Sequence, residues 1–383
     1  MLLVVLGAGA SYDFAAGMPP GRASDTLEWR PPLTDGLVAQ GARTRELLNG
    51  IPDNAASGLV AELRRRLSWR PENAPLPSKT VRPVRRPHVR AGGLTLEAAL
   101  DDMSKGRSTQ ARDFIAFRLY LQDLLRRCSL DGVAEVGGVT NQVLLVRTIE
   151  EWRSDRNEPV LYVTFNYDTI LDQALTGEFG WTPQGEKSNL RTYFERDDFK
   201  LFKLHGSWNW RQITAYPSPF RPSDNSARWS VLLRRALLDH ASDITRNLYV
   251  DDYRYASDTD VDRYTYGDGP TLALPALAIP LGSKATFTCS RETVEELQRC
   301  LPKVDHILTI GWKAGEPSFV EMLRQVQTGT DLFGVEPYKE TLQSVASALL
   351  SAGVPLASEL PNRAPSFSRF VDGPLQKYLR AIS

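Results

Sequence analysis

The chain is expected to be an α/β protein: a mostly parallel sheet with helices on both faces and a helical insertion after the first strand. Three observations predict this. Leu2-Leu3-Val4-Val5-Leu6 is a short apolar run, suited to a buried strand, that empties into the turn Gly7-Ala8-Gly9-Ala10-Ser11. The end of the chain alternates strand and helix, with strands at Ala276–Pro280, Val304–Ile310 and Asp331–Val335. Helices fall between and after them at Arg291–Cys300, Glu316–Gln327 and Tyr338–Ser351, which is the pattern of a parallel sheet covered on both faces. Between these ends, apolar residues recur at helical spacing, first Leu96, Ala99, Leu100 and Met103, then Phe114, Phe117, Leu121, Leu124, Leu125 and Cys128.

In order, Gly17-Met18-Pro19-Pro20-Gly21 ends any helix begun at the first loop. Leu59–Trp69 is expected as a short helix, and Pro71, Pro75, Pro77, Pro83 and Pro87 then exclude regular structure. Between Glu62 and Arg90 stand nine basic and two acidic residues, a pattern open to a basic arm for nucleic acid or a partner and favouring a solvated loop. A further helix is expected over Asn141–Trp152. Pro159–Thr164 reads as a buried strand, followed by Phe165-Asn166-Tyr167-Asp168 and a helix through Leu175. Phe199–Leu204 is a short strand running into His205-Gly206. Residues 211–270 read as irregular, with a possible helix at Trp229–His240 and six aspartates against two arginines between Asp251 and Asp268. Such scattered acids are more often surface than a cation site. The expectation is one domain over 1–383, with a helical and irregular insertion at 22–158 and an irregular one at 209–270.

Composition narrows the function classes. With 46 basic and 46 acidic residues there is no net field to gather nucleic acid or anionic membrane. No apolar run approaches the ~20 residues of a membrane span, and no basic leader precedes the first strand. Cys128, Cys289 and Cys300 are too far apart for a disulfide framework or a zinc ribbon, and no histidine lies at metal-ligand spacing from another. The expectation is a cytoplasmic, reduced chain that uses no metal.

Three loops carry chemistry: Gly7–Ser11, Asn166-Tyr167-Asp168 and His205-Gly206. All follow strands, and open α/β sheets bind ligands just past the carboxyl ends of their strands. A glycine turn between strand and helix brings backbone N–H groups close to an anion, as nucleotide phosphates require. The dinucleotide fingerprint is incomplete, because Tyr12 occupies the place of its third glycine. Each loop also has an ordinary reading. Asn166 or Asp168 can simply cap the following helix, and a lone histidine at a strand end is more often structural.

Taken together and in order, these motifs resemble the sirtuins. Gly7-Ala8-Gly9-Ala10-Ser11 is similar to the family's G-A-G-I-S phosphate loop, and Gly17-Met18-Pro19 to its G-I-P. Thr164-Phe165-Asn166-Tyr167-Asp168 resembles T-Q-N-I-D, and Leu204-His205-Gly206 resembles the catalytic L-H-G. The Gly311 strand end and the Val335-Glu336-Pro337 turn fall where the family contacts the adenosine half of NAD. The resemblance thus implies a Rossmann-like sheet with NAD as substrate. It gives catalytic roles to His205, Asn166 and Asp168. It places Gly7, Ala8, Gly9, Ala10, Ser11, Asp13, Met18, Thr164, Phe165, Gly206, Gly311, Trp312 and Glu336 beside the dinucleotide.

Two departures refine the resemblance. The four-cysteine zinc module of deacylase sirtuins is missing, and Phe165 stands where they have glutamine, with a longer interval from Asn166 to His205. Both point to the prokaryotic branch of sirtuin-like NAD hydrolases. That branch serves antiphage defence by draining NAD, often beside a helicase-like (HerA-type) ATPase or an Argonaute-type sensor. The implied activity is NAD glycohydrolysis to nicotinamide and ADP-ribose by a homo-oligomer without membrane association. Protein deacylation, ADP-ribosyl transfer and turnover-free sensing of an NAD derivative stay open. In the implied chemistry His205 is a base for water or a ribose hydroxyl, Asn166 orients the water, and Asp168 holds the nicotinamide carboxamide.

Overall fold

The structure is a computed structural model and describes residues 1–18, 27–39, 41–67, 95–105, 111–154, 159–183, 190–218, 227–246, 248–256, 265–266, 269–279, 287–358 and 361–382. Its centre is a parallel sheet of six strands: β1 (Leu2–Leu6), β2 (Val160–Thr164), β3 (Phe199–Lys203), and then β8 (His306–Ile310), β9 (Asp331–Val335) and β10 (Asn362–Ala364). The spatial order is β10-β9-β8-β1-β2-β3. The chain therefore runs outward from β1 through β2 to β3, crosses back to the other side of β1, and runs outward again through β8 and β9. Strand β1 is the point where the winding reverses, the place at which open α/β sheets bind ligands past the carboxyl end of the strand. Every residue of β1 and β2 is buried, as expected of strands covered on both faces.

The insertion between β1 and β2 is helical, with helices at Ala42–Asn49, Ala55–Arg66, Leu96–Lys105, Ala111–Glu135 and Asn141–Arg153. The last caps itself through Thr140 Oγ1, which accepts from the Val143 N–H at 3.2 Å. The predicted core stripes hold: Leu96, Ala99, Leu100, Phe117, Leu121, Leu124 and Cys128 are buried. They form a core of their own with Leu59, Val60 and Leu63, separate from the core that covers the parallel sheet.

Part of this second core comes from a stretch the sequence reading left irregular. Four strands within it form a second, antiparallel sheet: β4 (Gly206–Pro217), β5 (Leu248–Tyr255), β6 (Thr265–Tyr266) and β7 (Gly269–Leu277), in the order β5-β4-β7-β6. Helices at Ala227–Asp239 and Ala241–Arg246 lie between β4 and β5. Residues Ala276 and Leu277, expected to begin a strand of the parallel sheet, end β7 instead, and Leu277 pairs with Gly206. The masking has a physical cause. Asp251, Asp252 and Arg254 lie within β5, so charge hides the period-2 pattern. β4 is irregular too, its register shifting near Arg211 and after Ile213. Trp208, Leu272 and Leu274 join the helical core.

The carboxyl end of the chain adds β10 and helices at Phe367–Val371 and Pro374–Ala381, which the sequence reading did not mark. Most of the basic 62–90 stretch, and Pro19, Gly282 and Ser283, lie outside the described residues. No helix among the described residues is long and apolar enough to cross a membrane.

Candidate functional site

The site is assembled at the carboxyl ends of β1, β2, β3, β8 and β9. After β1 the backbone turns at Gly7 into a short helix, Ala8–Tyr12. This turn is packed against the turn after β8: Gly7 N–H donates to Ile310 O at 3.0 Å and Gly9 N–H to Gly311 O at 3.3 Å. A Cβ on Gly7 would lie 2.3 Å from Gly311 O, and one on Gly9 would lie 2.8 Å from Gly311 Cα. The glycines of the loop are thus required by protein-to-protein contact.

After β2, Phe165 N–H still donates to Leu6 O at 3.1 Å, and the chain then breaks into the corner 166–168. Asn166 N–H donates to Thr164 Oγ1 at 3.1 Å, and its Nδ2 donates to Gly7 O at 2.9 Å. Asn166 is half-buried, and the described residues give its amide oxygen no bond. The corner and the glycine loop are joined a second time by Ser11 Oγ, which donates to Asp168 Oδ2 at 2.5 Å. The other oxygen of Asp168 accepts from the Ile170 N–H at 3.1 Å, at the start of helix Ile170–Phe179. Burial pushes the Asp168 carboxyl up, against the lowering effects of Ser11 and of Lys203. With both oxygens held by the protein, Asp168 is a tie between the loop and the helix. Each oxygen has a further lone pair, which is where the expected carboxamide donor would have to bind.

Between β3 and β4 lie only Leu204 and His205, so His205 stands where the chain passes from one sheet to the other. It is 3% exposed. Its ring meets Phe165 edge-on at 5.0 Å and lies nearly parallel to Tyr167 at 6.1 Å. Gly206 follows with φ +80°, and a Cβ there would lie 1.9 Å from Ala276 O, so β4 can leave this point beside β7 only with glycine. Phe165 continues the aromatic row toward β8, with Trp312 parallel to it at 6.1 Å and Phe319 edge-on at 5.3 Å. Phe165 and Trp312, expected beside the dinucleotide, therefore spend their rings on each other, and Trp312 Nε1–H donates to Glu316 at 2.7 Å.

Past β9, Glu336 is 4% exposed and its Oε1 has no hydrogen-bond partner among the described residues. Burial pushes its carboxyl up to about 7, with Lys313 opposing. A buried carboxyl oxygen without a partner is costly for folding alone and suits a site that awaits a donor.

Two expected residues are placed elsewhere. Asp13 faces the end of the chain: Oδ2 accepts from the N–H groups of Phe367 and Ser368 at 2.9 and 3.1 Å, and Oδ1 from Ser368 Oγ at 2.5 Å. It caps the helix Phe367–Val371 and is not available to a ligand. Nothing in the sequence marks this pairing, which spans 355 positions. Met18 is 45% exposed, beyond the turn, with its N–H on Ala15 O at 3.2 Å. The structure adds residues the sequence reading passed over. Gln142 Nε2 holds Ala10 O at 3.0 Å, and Lys203 and Asp172 lie beneath the corner. Among the described residues, no group of three or more His, Cys, Asp or Glu is placed to hold a metal.

No protein-family model matches the chain, and none of the curated proteins matches it. Among solved structures the chain is similar to a mutant Sir2 homologue in complex with ADP-ribose, at 11% identity and a TM-score of 0.41, over 100% of this chain and 92% of that one.

Proposed function

We propose that the chain is an NAD glycohydrolase, cleaving the nicotinamide–ribose bond of NAD to nicotinamide and ADP-ribose. The observation that carries this is the meeting, at the strand where the winding reverses, of the three loops that resemble sirtuin motifs. Asn166 is bonded to Gly7 and Ser11 to the Asp168 corner, with His205 beyond them at the adjacent strand end.

In this reading the glycine loop lies under the pyrophosphate and Glu336 receives the adenosine ribose diol, whose hydroxyls supply the donors it lacks. The nicotinamide end lies on the β2–β3 side. When the glycosidic bond breaks, its electron pair leaves on the nicotinamide nitrogen and the ribose carbon becomes oxocarbenium-like. Water adds to that carbon and gives its proton to His205. Asn166, fixed through Nδ2, presents its amide oxygen to aim the water. The aromatic row of His205, Phe165 and Trp312 keeps bulk solvent from the reacting carbon.

The physiological reading follows the resemblance alone: an NAD-depleting effector of antiphage defence in the cytoplasm, a homo-oligomer beside a helicase-like ATPase or an Argonaute-type sensor. The test is incubation of the protein with NAD, alone and with cell lysate, followed by measurement of nicotinamide and ADP-ribose. Release of both without any acylated peptide is the expected result. Product formed only with an acylated peptide or an acceptor protein identifies a deacylase or ADP-ribosyltransferase. Binding without product identifies a sensor.

A further inference from the structure

Beneath the Asn166–Asp168 corner runs a chain of buried polar groups that takes no part in the chemistry just described. Lys203, the last residue of β3, has a fully buried side chain. Its Nζ donates to the backbone oxygen of Asp168 at 2.6 Å and to Asp172 Oδ2 at 2.7 Å. Asp172 Oδ1 accepts from the Tyr193 hydroxyl at 3.0 Å, and that hydroxyl in turn accepts from Trp210 Nε1–H at 3.2 Å. Four segments are tied to β3 in this way: the corner, helix Ile170–Phe179, the turn at Tyr193, and β4. Through Ser11 and Asp168 the chain reaches the glycine loop as well.

A buried ion pair is a poor device for stability, because removing two charges from water costs several kcal/mol per ion and apolar residues of like size do as well. What it supplies is direction. A lysine has three N–H donors on one nitrogen, and two of these are aimed at groups on different segments. The height of the corner above the sheet is thereby fixed from below. Lys203 pairs in register with Thr164, whose hydroxyl holds the Asn166 N–H, so both ends of the corner are anchored across one β2–β3 step. His205 lies two residues beyond Lys203 on the same strand end.

We infer that Lys203 and Asp172 are positioning residues: their ion pair holds the Asn166–Asp168 corner at the height at which Asn166 and His205 address the same reacting carbon. The catalytic half of this inference rests on the proposed NAD hydrolysis, and the structural half does not. The test replaces the pair together, Lys203→Met with Asp172→Leu, so that no lone charge is buried. Amide hydrogen exchange is followed over residues 164–169 and 7–12, beside NAD affinity and turnover of parent and variant. The expected result is exchange at least tenfold faster in those two segments, little change elsewhere, and kcat reduced at least tenfold with NAD affinity within about twofold. Unchanged exchange in both segments overturns the inference whatever the activity. Faster exchange with parental kcat in an active enzyme overturns the catalytic half. A parent that does not hydrolyse NAD counts against the proposed function only, since the exchange measurement still decides the structural claim. If the double variant does not fold, Asp172→Asn, which keeps the shape and weakens one arm of the pair, is put through the same measurements with the same criteria.

Discussion

Gly9 and Gly311 touch backbone to backbone past the end of β1: a Cβ on Gly311 would stand 2.5 Å from Gly9 Cα. Gly311 also has φ +60°, which any other L-residue adopts at a cost of about 1 kcal/mol. The turn after β1 and the turn after β8 thus form one unit.

The consequence differs from what a phosphate-binding loop alone implies. A side chain at Gly9 meets Gly311 before it meets any ligand. Gly9→Val and Gly311→Ala are expected to lose about 1–3 kcal/mol of stability from overpacking, with Gly311→Ala adding the backbone cost. Thermal unfolding checks this. A Gly9→Val protein that melts with the parent and only binds NAD more weakly would show that the contact is soft.

Asp13 gives a second stability prediction. It accepts from two backbone N–H groups and one hydroxyl of the helix Phe367–Val371, the first helix after β10. Asp13→Ala removes a cap and leaves two N–H donors and the Ser368 hydroxyl without their acceptor, at an expected cost of about 1–2 kcal/mol. NAD affinity measured on the folded fraction should stay near the parental value. A large loss of affinity with an unchanged melting temperature would return Asp13 to the ligand.

What the sequence made legible follows period and order. The strand at Leu2–Leu6, the helices after Leu96 and the three loops could be read because burial on both faces, helical spacing and glycine turns leave local marks. The second sheet could not, because Asp251, Asp252 and Arg254 break the alternation of β5 and β6 is two residues long. In the candidate site, Gly7, Asn166 and His205 were singled out because their types are chemically suggestive. Lys203 and Asp172 were not, because a lysine and an aspartate 31 positions apart carry no local sign that they will be buried together. Asp13 was assigned by the resemblance, and only the fold shows that its carboxylate meets Phe367 and Ser368.

Glu336 makes stability and binding depend on pH. Its carboxyl is raised from 4.5 to about 7 by burial, so the folded chain holds a proton that the unfolded chain releases. The stability this contributes is fully present below pH 4.5 and is lost as pH rises through about 7; at most it amounts to about 3 kcal/mol. Glu336→Gln should therefore match the parent in melting temperature near pH 5 and exceed it at pH 8. In the proposed site the ionised form is the better acceptor for a ribose diol, so parental NAD affinity should rise with pH through about 7 and that of Glu336→Gln should not. Equal pH profiles for the two proteins count against both statements.

The chemistry itself is tested at His205 and Asn166. His205 packs on the Phe165 and Tyr167 rings and follows β3, whereas the glycine loop follows β1 and Glu336 follows β9, so binding and bond cleavage should separate. His205→Ala is expected to lower nicotinamide release by ~10²–10⁴, the usual cost of one positioned acid–base group, with NAD affinity nearly intact. Asn166→Ala should lose turnover comparably, because a water that is present and not aimed attacks poorly. It should also lose some stability, because Gly7 O forfeits its Nδ2 donor. A purely structural histidine would give another pattern, with melting temperature, affinity and turnover of His205→Ala falling together as the ring contacts are lost. Melting temperature, NAD affinity and turnover measured on the same two variants separate these outcomes. A stable His205→Ala protein that hydrolyses NAD at the parental rate would remove His205 from the mechanism.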